Sequence, residues 1–213
     1  MSPTPRTERH RPQSELRSLR YPRLPRTVRA AAVAALGLLT ACSGGSSSPP
    51  PSPSPTSSSD GPKVPAPLPT QALLTDPCSI LTAAEATQVG LNSPGKNDST
   101  STLPGCMWKS SATEVSQIGL TALPQNTGGI SDIYTKKPGS AYFEPVDING
   151  YPGVYTDIQD ARADGSCTLW VGVTDQLAVS VIPNIQSGPN KNDPCGIAKK
   201  FATAMIAHLK SSS

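Results

Sequence analysis

The chain has 213 residues, 36% of them hydrophobic, with 18 Lys+Arg against 15 Asp+Glu and a formal net charge of +3. That surplus sits in the first 41 residues, where eight arginines (Arg6, Arg9, Arg11, Arg17, Arg20, Arg23, Arg26, Arg29) face only Glu8 and Glu15. Beyond them 10 basic residues stand against 13 acidic ones, with no basic run longer than Lys136-Lys137 or Lys199-Lys200. The electrostatic footprint of a nucleic-acid-binding protein is missing, so no nucleic-acid partner is expected.

The arginine-rich start leads into AAAVAALGLL, Ala30 to Leu39. Ten such residues at ~1.5 Å rise cover only about 15 Å of a hydrocarbon layer roughly 30 Å thick. Residues 1–41 therefore read as a signal peptide rather than a spanning helix. The next residues, Leu39-Thr40-Ala41-Cys42, resemble the bacterial lipobox, with leucine at −3, small residues at −2 and −1 and cysteine at +1. The resemblance implies that Cys42 carries a thioether-linked diacylglycerol, becomes the mature N-terminus and anchors the chain to the membrane.

Residues 43–70 hold nine serines and nine prolines. With few apolar side chains to offset ordering entropy, the segment from Cys42 to Thr70 is expected to be a disordered tether. It spans between roughly 30 Å as a coil and roughly 90 Å when extended. From about Gln71 the composition becomes globular, and residues 71–213 are expected to form one α+β domain burying roughly two thirds of its unfolded surface.

Within that domain Thr82-Ala83-Ala84-Glu85 is a capping-box pattern, opening a short helix to Val89 that Gly90 ends. Strand candidates with period-two patterning follow at residues 106–110, 115–123, 143–148, 151–158, 166–173 and 177–182, and residues 130–137 read as a short helix. Asn149-Gly150 marks a hairpin because both residues tolerate positive φ. Asp164-Gly165 and Thr174-Asp175-Gln176 are weaker turns. Asp193 and Pro194 suit the N-cap and first position of a final helix, along which Ile197, Phe201, Met205 and Leu209 recur every four residues. Short turns between strands imply an antiparallel sheet flanked by an N-terminal short helix and a C-terminal helix across one face.

The landmarks "DPCSILTAAEA", "GCMW", "SCTLWVGV" and "DPCGIAKKFATAMIAHL", behind a lipobox and a Ser/Pro tether, resemble a family of small exported actinobacterial lipoproteins known chiefly as a domain of unknown function. The resemblance implies an envelope protein and carries over no catalytic residue. By looser analogy the order of helix, antiparallel sheet and helix is similar to Mog1/PsbP-like domains, a likeness of fold that transfers no function.

The chemistry-bearing residues are few. Beyond the leader His208 is the single histidine, placed where it meets the dipole of the final helix's C-terminus. No G-x-S-x-G elbow is present, and the Gly128-Gly129 pair reads as a turn rather than a phosphate loop. Asp157 with Asp160, and Glu144 with Asp147, lie near strand ends, where solvated loop acids are the ordinary reading. Trp108 shares a strand face with Cys106 and is assigned to core packing; Trp170 lies near Cys167. Cys78, Cys106, Cys167 and Cys195 stand 28, 61 and 28 residues apart, without the close pairing that zinc requires. No metal and no cofactor are expected.

With Cys42 lipidated, four cysteines in an oxidising compartment suggest two disulfides. If residues 166–173 and 177–182 form a hairpin, Cys167 and Cys195 come to one edge, leaving Cys78 for Cys106; each ring is worth ~3.6 kcal/mol of loop entropy. Cys78–Cys195 with Cys106–Cys167 is the rival pairing. The functional expectation is a non-enzymatic ligand- or partner-binding module, lipid-anchored at the outer face of the cell membrane. The alternatives are a cell-wall-directed hydrolase or transferase with a carboxylate site, or an assembly factor of an envelope complex.

Overall fold

The computed structural model describes residues 61–112 and 116–212. The expected signal peptide, Cys42 and the expected tether up to residue 60 lie outside the described residues, as does Val115, the expected start of one strand. Seven strands, β1 (Lys96–Asn97), β2 (Gly105–Lys109), β3 (Gln117–Ala122), β4 (Tyr142–Ile148), β5 (Tyr151–Asp157), β6 (Leu169–Thr174) and β7 (Leu177–Asn184), form one sheet in the order β1-β2-β3-β7-β6-β5-β4. Every neighbouring pair is antiparallel. Four helices, α1 (Gln71–Thr75), α2 (Ala83–Gln88), α3 (Ile130–Tyr134) and α4 (Pro194–Ser211), complete the α+β fold.

Local sequence accounts for much of this. In β3 the buried residues alternate, Ile118, Leu120 and Ala122 pointing to the core. Asn149 at φ 54 and Gly150 at φ 87 make the two-residue turn between β4 and β5, where Ile148 pairs with Tyr151. Asp147 Oδ1 accepts from the Gly150 amide at 2.9 Å, and the Lys210 ammonium donates to the Asn149 carbonyl at 2.7 Å. Thr82 and Glu85 form the full reciprocal capping box of α2.

Strand order departs from simple succession. After β3 the chain crosses through α3 to the far edge, then returns as the meander β4-β5-β6-β7, so that β7 pairs with β3. β6 and β7 are thereby central and almost wholly buried. One face of the sheet packs on α4, where Trp108 lies 5.2 Å from Phe201 between ring centroids. The other face carries a smaller cluster of Ile130, Ile133 and Val154, flanked by Tyr134, Phe143 and Trp170.

Helix α4 buries Pro194, Ala198, Phe201, Ala202, Met205, Ile206 and Leu209. The four-residue recurrence named Ile197 as part of this face, yet Ile197 is only half-buried. A strict step of four drifts about 40° per step around a helix of 3.6 residues per turn, which puts Ile197 at the edge of the stripe.

The expected tether boundary at Thr70 also needs correction, because the chain is packed on the domain from Gly61. Leu68 is buried and donates its amide to the Val173 carbonyl at 3.0 Å. The Val64 amide donates to Asp175 Oδ1 at 3.1 Å, and the Tyr151 hydroxyl donates to the Ala66 carbonyl at 2.9 Å. Prolines 62, 65, 67 and 69 hold φ near its bound value, which lowers the entropy lost when Val64 and Leu68 dock.

Two disulfides join Cys78 to Cys106 and Cys167 to Cys195, each with Cα atoms 5.2 Å apart. The two DPC triplets differ in detail. Asp193 caps α4 by accepting from the Gly196 amide at 2.9 Å, with Pro194 in the first turn. Asp76 makes no side-chain cap, and Pro77–Ile80 is a single 3-10 turn that delivers Cys78 to β2. Gly95 passes so close to this bridge that a Cβ there would lie 2.6 Å from Cys106 Sγ and the Trp108 indole.

Candidate functional site

A cleft of about 420 Å³ opens beside the start of α4, within the usual volume range of small-molecule sites. Its walls come from the end of α2, the β2–β3 hairpin, the segment leaving β7, and α4. The apolar part is Val89, Leu91, Ile118, Ile185 and Ile197; the polar part includes Ser110, Ser116, Gln117, Ser187, Asn190 and Lys200. Ile197 and Lys200 are one helical turn apart and so present neighbouring side chains to it.

The walls are stitched together by backbone bonds. Leu91 bridges Ser110, and the Asn92 amide donates to the Lys109 carbonyl at 2.9 Å. The Ser111 amide and hydroxyl both donate to the Gly90 carbonyl at 3.0 Å. The Ser110 amide donates to the Ser116 carbonyl at 2.8 Å, and the Ser116 hydroxyl oxygen accepts from the Gln186 amide at 3.1 Å. Among the described residues lining the cleft, Lys200 is the one charged side chain.

A second, more apolar cleft of about 440 Å³ lies on the opposite face, between α3 and the β5 end. Ile133 and Trp170 floor it, and Ile158, 78% exposed, stands at its mouth. Asp157 at its edge is engaged, accepting from the Thr168 hydroxyl at 2.6 Å.

The acids singled out from sequence do not converge on either cleft. Arg162 bridges Glu144 at 2.8 Å and Asp160 at 2.6 Å while its guanidinium lies 4.3 Å from the Tyr142 ring centroid. The hydrogen bonds from Arg162 hold the Asp160 carboxyl down at about 2, the reverse of what a general acid needs. Asp147 is spent on the turn at Gly150. Among the described residues, no group of three His, Cys, Asp or Glu side chains is placed to hold a metal ion, and no helix is long and apolar enough to cross a membrane.

His208 lies away from the first cleft, with Nδ1 2.9 Å from Glu85 Oε2. Trp108 is core, as its face suggested, and Trp170 belongs to the smaller outer cluster. Sequence reasoning marked none of the cleft's polar residues as part of a site, since they come from four separated segments with no shared motif. The structure also brings out Arg162, whose two-residue spacing from Asp160 was the one local signal for their pairing.

Among known protein families, residues 37–208 match one described as a protein of unknown function (DUF3558). The chain belongs to the DUF3558 family. No curated protein and no solved structure matches it. The DUF3558 match spans Cys42, the four domain cysteines and nearly all of α4, so the cleft lies wholly within the family's shared extent.

Proposed function

We propose that this DUF3558 chain is a cell-envelope lipoprotein, anchored through Cys42 at the outer face of the cytoplasmic membrane, and that its domain binds a ligand without transforming it. The leader and lipobox support the anchor. The paired disulfides suit an oxidising compartment outside the cytoplasm. The actinobacterial origin suggested by the sequence landmarks belongs to the same proposal.

The observation that carries the binding reading is the make-up of the first cleft among the described residues: an apolar floor, a hydroxyl- and amide-bearing rim and one cation, Lys200. A hydrolase or transferase of the carboxylate type needs two acids converging on substrate. The acids singled out from sequence, Glu144, Asp147, Asp157 and Asp160, are instead tied to Arg162, Thr168 and a turn.

Two measurements test the proposal. Metabolic labelling with a fatty acid should mark the wild-type chain and leave Cys42→Ala unlabelled and released from membranes; equal labelling of both would remove the anchor. An NMR screen of small amphipathic and polar envelope-type molecules should give saturable shifts at Leu91, Ser116 and Ile185. A screen that shifts none of these residues, or that shows turnover of a bound molecule, would remove the binding reading.

A further inference from the structure

We infer that the second cleft is a self-association face: Ile158 of one chain enters the cleft of a second copy, whose own Ile158 enters the first. This face is separate from the first cleft, so the binding reading above neither supports it nor depends on it.

Among the described residues three large hydrophobic side chains are exposed, Leu74 and Ile182 at 38% and Ile158 at 78%. A lone exposed aliphatic side chain is ordinary on a protein surface. Ile158 is not alone in that sense: it follows β5 directly and stands at the mouth of a cleft of about 440 Å³ floored by Ile133 and Trp170. An apolar knob beside an apolar hole on one surface is self-complementary, because a twofold rotation puts each knob into the other chain's hole. A free apolar ligand would account for the floor and leave the isoleucine in water, whereas a second copy covers both.

The rim fits the same arrangement. The Thr156 hydroxyl donates to Ser140 Oγ at 2.9 Å, and the Ser140 hydroxyl donates to the Lys136 carbonyl at 3.2 Å. An entering isoleucine therefore strips neither hydroxyl hydrogen of its acceptor. Lys136, just after α3, lines one side of the cleft, and Asp157, at the end of β5, lines the other. Neither forms an ion pair among the described residues. The rotation that exchanges the two isoleucines carries Lys136 of each chain toward Asp157 of the other, so opposite charges meet twice and help to set the register. Chains anchored through Cys42, as proposed above, share one membrane surface, which raises their local concentration and populates a contact that is weak in solution.

The test uses the mature chain with Cys42→Ser, tether and domain intact, followed by sedimentation equilibrium and NMR from about 10 µM to about 1 mM. Wild type should pass from monomer to dimer with a dissociation constant on the order of 100 µM, as a contact of this small size gives. Its concentration-dependent shifts should fall at Ile133, Thr156 and the Trp170 indole. A mixture of differently labelled chains should show Overhauser contacts from the Ile158 methyls of one copy to Trp170 of the other.

Ile158 and Lys136 are exposed, so changes there should leave the fold intact. Ile158→Asn should weaken the dimer about tenfold or more. Lys136→Glu should weaken it about threefold, and less as salt rises. A monomer throughout the range, a dimer that Ile158→Asn leaves as tight as before, or shifts that map elsewhere would overturn the self-association face. Saturable shifts in the cleft on adding octanol to a chain that stays monomeric would overturn it too, and would give the cleft to a small apolar ligand.

Discussion

His208 Nδ1 lies 2.9 Å from Glu85 Oε2, tying the last turn of α4 to the first turn of α2. The same carboxylate accepts from the Thr82 amide at 2.7 Å, so one side chain completes a helix cap and a tertiary link between distant parts of the chain. The histidine assigned from sequence to a helix dipole has a second, specific partner.

Glu85 should make stability fall with acid. Burial pushes its carboxyl up, but hydrogen bonds from Thr82 and the positive charge on His208 outweigh this and leave it below the ordinary glutamate value. A carboxyl depressed on folding contributes stability above its unfolded value, and that contribution disappears as pH drops through the folded value. Urea melts from pH 6 to pH 3 should show wild type losing this increment below about pH 4.5, and Glu85→Gln lacking it. Glutamine still serves a capping box, so Glu85→Ala should cost about 1 kcal/mol more than Glu85→Gln at pH 6.

Phe201 is fully buried against Trp108 in the main core. Phe201→Ala should destabilise the domain by about 3–5 kcal/mol, through lost transfer energy and the cavity left beside the indole. Chemical denaturation followed by tryptophan fluorescence measures this. A loss under 1 kcal/mol would mean that the α4–sheet packing is not as described.

Each disulfide closes a ring between cysteines 28 residues apart. Removing Cys167–Cys195 by a double change to alanine should cost about 2–4 kcal/mol. A non-reducing peptide map should recover Cys78 linked to Cys106 and Cys167 linked to Cys195. Recovery of a Cys78–Cys195 peptide would contradict this connectivity.

Residues 61–70 should behave as part of the domain. Leu68→Ala should cost about 2–3 kcal/mol, since Leu68 is buried against the sheet. It should also expose the segment to proteolysis. A chain beginning at Gln71 should melt below one beginning at Gly61; equal melting temperatures would return the segment to the tether.

What was legible in the sequence was local. The Asn149-Gly150 turn needs positive φ at both residues, the Thr82–Glu85 box needs a hydroxyl and an acid three residues apart, and Asp193-Pro194 suits a helix start; each condition is met within a few neighbours. Alternation placed six of the seven strands, and the four-residue recurrence placed α4, for the same reason. The missed β1 has two residues, too few for a period to register.

Tertiary structure alone decided the rest. The passage from β3 to the far edge, which makes β7 the partner of β3, depends on which exposed strand edges can pair and on both faces being covered by α3 and α4. Docking of Leu68 depends on a sheet face assembled a hundred residues later. The cleft joins Leu91, Ser116, Ile185 and Lys200 only because the strands beneath them are neighbours in space. No residue carries a local preference for such a meeting, so the sequence could announce a twice-bridged α+β domain while leaving the cleft unread.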